Sequence, residues 1–318
     1  MRRRAARTSF AALAVFSLVL TACGTSADSK TSSASGAINV VASTNVYGDI
    51  AKTIGGEHVT VEAIISKTSQ DPHSYEATAQ DRLKLSHAKL VIENGGGYDS
   101  FMDGLTQASK VDPANVISAV DVSGLDSSST QGSTNAVHGH TDFNEHVWYS
   151  LETMGKVADT VAAHLSKLDA TNAAQFGSNA KTFKSSLTKL GTRLETIKSE
   201  HPGTAVAITE PVPLYLVEQA GMENKTPEAF SHAIEEGTDV PATVLRSTLE
   251  LFSSHQVKLL AYNEQTEGSQ TQALKQAAED SGIPVLNFTE TMPESSNYLQ
   301  WMTANVSSLE SAFQQAKS

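Results

Sequence analysis

The side chains best suited to metal chemistry in this sequence are two histidines and two glutamates placed near the ends of predicted elements. His73 follows a predicted strand within the stretch QDPHSYE, and His146 lies in NEHVW, in the loop that closes the first half of the chain. Glu210 and Glu290 directly follow the first and last predicted strands of the second half. Imidazole nitrogens and carboxylate oxygens bind zinc, manganese and iron at about 2.0–2.2 Å. Because ligands of open parallel sheets gather at the carboxyl ends of the strands, we expect all four side chains to face one cleft.

Each of these residues also has an ordinary structural explanation when it is considered alone. A single histidine such as His73 more often caps a turn or packs in a core than binds a metal. Glu210 precedes Pro211 and fits the first turn of a helix, where the dipole favours a carboxylate by about 0.3–1 kcal/mol. Glu290 is the least distinctive because other glutamates occur in nearby loops, namely Glu264, Glu267 and Glu294. The metal interpretation therefore depends on these side chains meeting in space.

Strand and helix patterns alternate along both halves of the chain. Short runs rich in Val and Ile alternate with amphipathic stretches, which is typical of parallel sheets covered by helices on both faces. Predicted strands cover residues 38–43, 59–65, 90–94, 116–120, 205–208, 258–262 and 283–288. Predicted helices cover residues 46–54, 79–88, 100–108, 212–220, 242–253 and 268–281. The expected fold class is α/β, with two lobes that each contain a parallel sheet flanked by helices.

A long helical stretch separates the two halves. Residues 173–200 contain no proline and place apolar side chains near helical spacing, until the HPG sequence at 201–203 ends the pattern. A helix of that length extends about 42 Å at 1.5 Å per residue, which suits a backbone joining two lobes. The expected boundaries are a signal peptide at 1–22, a flexible tether at 23–36, an N-terminal lobe at 37–171, a linking helix at 172–202 and a C-terminal lobe at 203–318.

The N-terminus has the pattern of an export signal. Four arginines within the first seven residues precede an apolar run at 10–20, which is too short to span a bilayer. The run ends in LTAC, which resembles the lipobox of bacterial lipoproteins and makes Cys23, the only cysteine, the expected lipidation site. With no second cysteine, the exported domain contains no internal disulfide, and thiolate-rich metal sites are excluded.

The balance of charges narrows the choice of partners. The whole chain carries a net charge of −12, and the signal region contributes arginines but no acidic residue. Such an acidic chain is a poor partner for nucleic acid or anionic lipid and is compatible with a cation as ligand. Acidity also keeps exported proteins soluble, so the charge alone assigns no function.

Several stretches, taken in order, resemble one family. They are the lipobox at Cys23, QDPHSYE with the following TAQD helix start, LVIENGG, NEHVW, Glu210 with Tyr215 and the QAG helix end, and FTET around Glu290. In order and spacing the chain is similar to the metal-binding lipoproteins that serve ABC importers for zinc or manganese. The resemblance covers essentially the whole mature chain.

That resemblance implies a fold, a site and a role. The fold would be two α/β lobes bridged by one long helix, with one divalent ion, Mn²⁺ or Zn²⁺, bound between them by His73, His146, Glu210 and Glu290. Many zinc-binding members have histidine at the position of Glu210, and aspartate is commoner at the position of Glu290. Glutamate at 210 gives a harder ligand set that slightly favours manganese, whereas the Irving–Williams order favours zinc, so both ions stay open.

The role implied is that of an extracytoplasmic, lipid-anchored binding protein, expected to be a monomer, that hands its ion to an ABC permease. A metallohydrolase is the first alternative, but the sequence contains neither HExxH nor GxSxG nor a Gly-rich phosphate loop. A surface adhesin is the second alternative. His138 and His140, in an HGH sequence within a polar loop, could recruit a metal weakly.

Overall fold

A four-stranded parallel sheet forms the first half of the protein. The computed structural model describes residues 36–126 and 143–315. The strands pair in the order β2-β1-β3-β4, and Val40 of the central strand is in register with Val61 on one side and Leu90 on the other. The strands are β1 (Ile38–Thr44), β2 (Val59–Ile65), β3 (Leu90–Glu93) and β4 (Val116–Ser118). Their β-branched residues pack on both faces, as the continuous apolar runs predict.

Helices cover this sheet and begin at recognisable caps. Thr78 and Asp81 form a capping box at one helix start, and the Ser150 side chain accepts the N–H of Thr153 at another. The helices are α1 (Asn45–Gly55), α2 (Ala79–Ser86), α3 (Phe101–Ser109), α4 (Ala119–Ser123) and α5 (Leu151–Leu168). The prediction of a strand over 116–120 was too long, because Ser118 caps α4 by accepting the N–H of Asp121 and so ends the strand.

One helix of 28 residues, α6 (Ala173–Glu200), runs between the two halves. Its buried side chains recur every three or four residues from Phe176 to Ile197, which is the spacing of one helix face. Arg193 on this helix makes a bidentate ion pair with Glu310, at 2.8 and 2.6 Å. The predicted long backbone helix is therefore present, ending within two residues of the expected position.

The second half repeats the architecture of the first. Its strands pair in parallel in the order β6-β5-β7-β8, so both sheets have the same strand order along the chain. The strands are β5 (Ala205–Ile208), β6 (Glu223–Asn224), β7 (Leu260–Asn263) and β8 (Val285–Phe288). The helices are α7 (Leu214–Gln219), α8 (Glu228–Glu235), α9 (Ala242–Ser253), α10 (Ser269–Asp280) and α11 (Tyr298–Gln315). Strand β6 and helices α8 and α11 were not predicted from the sequence.

The two halves share a continuous apolar core. Ile92 of the first sheet, Phe183 of α6 and Ile208 of the second sheet belong to one cluster of buried side chains. Two parallel sheets, flanking helices and a long connecting helix confirm the predicted fold class. The residue boundaries assigned above to the signal peptide, tether, lobes and linking helix stay predictions.

Three of the residues discussed above, Cys23, His138 and His140, lie outside the described residues. In the part of the chain that the structure does describe, none of the helices combines the length and apolar character that crossing a bilayer requires.

Candidate metal centre

His73 reaches the cleft from a loop that follows β2. The loop is held by its own side chains: Asp71 accepts the backbone N–H of His73 at 2.9 Å and the hydroxyl of Ser74 at 2.7 Å. The imidazole Nε2 of His73 lies 3.8 Å from Oε2 of Glu290, and the His73 side chain is 29% exposed. His73 therefore forms the solvent-facing side of the cluster.

His146 lies at the bottom of the cleft and is 1% exposed. Its Nδ1 is 2.7 Å from Oδ1 of Asn144, which also accepts the backbone N–H of His146 at 3.1 Å. The Asn144 amide nitrogen donates to the carbonyl of Pro211 at 3.0 Å, so the amide orientation is fixed from both ends. An amide oxygen can only accept, so Nδ1 carries the proton and Nε2 of His146 keeps the lone pair that a metal needs.

Glu290 follows β8 and is 4% exposed. Its Oε1 accepts a hydrogen bond from Asn263 at 2.9 Å, while its Oε2 is buried and has no hydrogen-bond partner among the described residues. Burial, followed by repulsion from Glu210, raises the pKa of Glu290 to about 8. A buried carboxylate oxygen without a donor is costly, and a cation is the partner that would stabilise it.

The structure brings three of the four predicted residues together. His73, His146 and Glu290 each offer a ligand atom, and these atoms lie within 4.8 Å of one another. We refer to these three residues as the inner cluster. Three atoms at such separations can contract onto one ion at bonding distances of about 2.0–2.2 Å with modest side-chain movement. The other carboxylates considered from the sequence, Glu264, Glu267 and Glu294, do not belong to this or any other such group in the described chain.

Glu210 is close to the inner cluster but is not grouped with it. It is 2% exposed, and its Oε2 accepts hydrogen bonds from Asn263 and, at 2.6 Å, from the hydroxyl of Thr266. Burial raises the pKa of Glu210 to about 7, although both hydrogen bonds act to lower it. Since Asn263 also donates to Glu290, one amide connects the two carboxylates. The role of Glu210 as a ligand stays a prediction.

Three functional candidates were missed in the sequence. Asn263 is the last residue of β7 and would have been found by applying the strand-end criterion to every strand. Glu235 ends the unpredicted helix α8, and its Oε1 lies 3.9 Å from Nδ1 of His146. Tyr98 follows the glycine run of residues 95–97, whose first two glycines belong to the LVIENGG motif, but the motif itself does not include the tyrosine. Glu145, which directly precedes His146, belongs with His146 and Glu235 to a second group of closely spaced ligand atoms.

The electrostatics of the cleft are dominated by acidic groups. Burial raises the pKa of Glu235 to about 9, and repulsion from Glu145, Glu210 and Glu290 adds to the rise. Burial also lowers the pKa of His73 and, together with repulsion between the two imidazoles, that of His146. Neutral imidazoles beside several carboxyl groups that retain protons because no cation is near them are an arrangement that favours a divalent cation.

These features define a class: two parallel α/β lobes on one long helix, with a buried histidine–carboxylate cluster where the strands of both sheets end. The family model for the periplasmic component A of the zinc-uptake complex, ZnuA, matches residues 40–312 of the chain. The chain belongs to this family.

Individual relatives agree with this assignment. The manganese ABC transporter substrate-binding lipoprotein scaA of Streptococcus gordonii is 31% identical over 189 residues, which are 57% of this chain and 58% of scaA. The manganese-binding lipoprotein MntA of Bacillus subtilis is 32% identical over 179 residues, which are 56% of this chain and 55% of MntA. The chain thus spans a little over half the length of these curated relatives.

A solved structure shares the fold. The periplasmic zinc-binding protein TroA of Treponema pallidum superimposes with a TM-score of 0.69 at 20% identity, over 87% of this chain and 99% of TroA.

Proposed function

We propose that this protein is the substrate-binding component of an ABC importer for a divalent transition metal. It would capture one Mn²⁺ or Zn²⁺ ion in the cleft between the lobes and deliver it to a membrane permease. Family membership supports this role, and two relatives named for manganese binding support the metal class. The observation that carries the proposal is the inner cluster, in which residues from distant parts of the chain place ligand atoms within 4.8 Å of one another.

His73, His146 and Glu290 are the proposed ligands, with Glu210 completing the set. Two observations support this role for Glu210: its side chain is buried, and it shares the amide of Asn263 with Glu290. A carboxylate from each of Glu210 and Glu290 would balance the charge of a divalent ion, which a buried site requires. Rotation of the Glu210 side chain away from Thr266 would give its oxygens access to the ion.

Two opposing effects influence which metal ion the site prefers. Two carboxylates and two imidazoles form a comparatively hard set, which suits manganese, and scaA and MntA are named for manganese, whereas TroA is named for zinc. The same set holds zinc more tightly at equal concentrations, according to the Irving–Williams order. We infer that manganese is the transported ion where its supply exceeds that of zinc.

Delivery requires a membrane-bound partner and an anchor. We infer that a thioether-linked lipid on Cys23 holds the protein at the outer face of the membrane, as the lipoprotein relatives suggest. Release would require the permease to displace His73, the most exposed of the proposed ligands, from the ion. A monomer suffices for this task, since every proposed ligand comes from one chain.

Metal analysis of the full-length protein in detergent tests the proposal. We expect one ion per chain after incubation with MnCl₂ or ZnCl₂, and loss of that ion in His146→Ala. The variant His164→Ala is a matched control, because His164 lies on α5 outside the inner cluster. Hydrolysis of ester, phosphate or peptide substrates that requires His73 would instead establish the metallohydrolase alternative.

A further inference from the structure

Tyr98 is directed into the cleft by a turn that only glycine accommodates well. Gly95, Gly96 and Gly97 all have positive φ values, of 78°, 67° and 97°. A Cβ atom on Gly95 would lie 2.6 Å from the hydroxyl of Ser118. Asp99 fixes the turn by accepting the backbone N–H of Asn94 at 2.6 Å and that of Gly95 at 2.9 Å. The position of the Tyr98 ring therefore follows from a glycine turn that Asp99 holds by two hydrogen bonds.

The ring of Tyr98 contacts both histidines of the inner cluster. Its centroid lies 4.9 Å from that of His73, edge to face at 87°, and 5.9 Å from that of His146. It also packs against Trp148, with 4.6 Å between centroids. Edge-to-face contacts of this kind fix the orientation of an imidazole without competing for its nitrogen.

The hydroxyl of Tyr98 is buried and has no hydrogen-bond partner within the described residues. The whole residue is 1% exposed, so bulk solvent does not supply a partner either. Three further polar atoms around the cluster share this state, namely Nε1 of Trp148, Oε1 of Glu235 and Oε2 of Glu290. A polar ligand bound in the cleft would give these buried donors and acceptors their hydrogen-bond partners.

A tyrosine hydroxyl is a hydrogen-bond donor at physiological pH. The Tyr98 ring contacts His73 and His146, which are proposed metal ligands, so the phenol borders the site of the bound ion. A protonated phenol beside an oxygen bound to a cation is a strong hydrogen-bonding arrangement.

We propose that Tyr98 is a specificity-determining residue whose hydroxyl donates a hydrogen bond to a water molecule bound to the captured cation. This inference rests on the proposed function. It adds a water molecule as a further oxygen ligand of the cation, besides the ligands that the protein provides. Zn²⁺ is satisfied by four ligands, whereas Mn²⁺ favours a higher coordination number with oxygen ligands. A stabilised water therefore favours Mn²⁺ over Zn²⁺.

The test compares Tyr98→Phe with the wild-type protein, both full-length in detergent and titrated calorimetrically with MnCl₂ and ZnCl₂. We expect Mn²⁺ affinity to fall about tenfold, as for loss of one hydrogen bond to a charged group, and Zn²⁺ affinity to change less than about threefold. The melting temperature of the metal-free protein should not fall, because the hydroxyl has no partner in the described chain. X-ray absorption at the manganese edge should show one oxygen ligand fewer in the variant.

Tyr75→Phe is the matched control. The Tyr75 hydroxyl donates to Asp81 at 2.9 Å, so its removal should lower the melting temperature and leave both affinities unchanged. Equal affinity losses for both ions in Tyr98→Phe would show that the hydroxyl acts on the protein ligands and would overturn the inference. Unchanged affinities would overturn it as well. If the wild-type protein bound neither ion, the proposed function itself would fail.

Discussion

Glu210 and Glu290 are held side by side by a single amide. Asn263 at the end of β7 donates one N–H to Oε2 of Glu210 and the other to Oε1 of Glu290, the latter at 2.9 Å. The backbone N–H of Asn263 in turn donates a hydrogen bond to the hydroxyl oxygen of Thr209 at 2.8 Å. Asn263 therefore keeps two mutually repelling carboxylates near each other when no cation separates them.

Replacing Asn263 tests this role. In Asn263→Ala we expect the unfolding free energy of the metal-free protein to fall by about 1–3 kcal/mol, because two buried carboxyl groups lose their donor. Metal affinity should also fall, since the carboxylates are no longer aligned before binding. Chemical denaturation and metal titration measure the two effects. Asn287→Ala on the neighbouring strand β8 serves as the control, because that residue is exposed.

Removing the charge of Glu290 separates binding from folding. Glu290→Gln retains the oxygen that accepts from Asn263 but removes the negative charge, so we expect metal affinity to fall at least about a hundredfold. The metal-free variant should be as stable as the wild-type protein or more so, because the repulsion between Glu290 and Glu210 is removed. Thermal unfolding with and without metal measures both effects. Undiminished metal binding would remove Glu290 from the ligand set.

The stability of the metal-free protein should decrease as the pH rises from about 6.5 to 8, above the range in which the lowered pKa values of His73 and His146 act in the opposite direction. The pKa values of Glu210 and Glu290 are raised by burial to about 7 and about 8, so the folded state holds protons that the unfolded state has released. Because the folded state binds more protons than the unfolded state, the free energy of unfolding falls as the pH rises through this window. Calorimetric melting curves across the window measure the effect, which Glu290→Gln should reduce.

Metal binding should release protons near neutral pH. Because Glu290 has a pKa of about 8, most chains carry a proton there at pH 7, and an ion must displace it. Titrations in two buffers of different ionisation enthalpy measure the number released. Apparent affinity should rise by up to about tenfold per pH unit for each proton displaced. Binding independent of pH between 6 and 8 would contradict this account.

Exchanging Glu210 for histidine should change metal preference. We expect Glu210→His to shift selectivity towards zinc, because an imidazole is a softer ligand and one negative charge is lost. Metal content after growth in balanced zinc and manganese gives the measurement. Glu218→His on α7 is a suitable control, since that position lies outside the cleft groups. Selectivity equal to that of the wild-type protein would show that Glu210 is not a ligand.

Much of the fold could be predicted from local patterns in the sequence. The alternation of β-branched runs with amphipathic stretches predicted seven strands, and the regular apolar spacing around Phe183 predicted α6 almost to its ends. Strand β6 was missed because Glu223–Asn224 is two residues long and has no apolar periodicity. Helix α8 was missed because it covers only the eight residues Glu228–Glu235, about two turns, which is too short for its apolar periodicity to stand out.

The sequence by itself determined the fold class, which is two similar lobes with parallel strands. It also determined the candidate ligands His73, His146, Glu210 and Glu290, which lie near the ends of predicted elements. It did so because strand direction, turn chemistry and helix spacing are local properties of the chain. Tertiary structure decided that His73, His146 and Glu290 approach within 4.8 Å, that Asn263 joins the two glutamates, and that Tyr98 and Glu235 border the same cleft. Those relationships depend on how two sheets pack against a common helix and core, and the distances between side chains remote in sequence are set only by that packing.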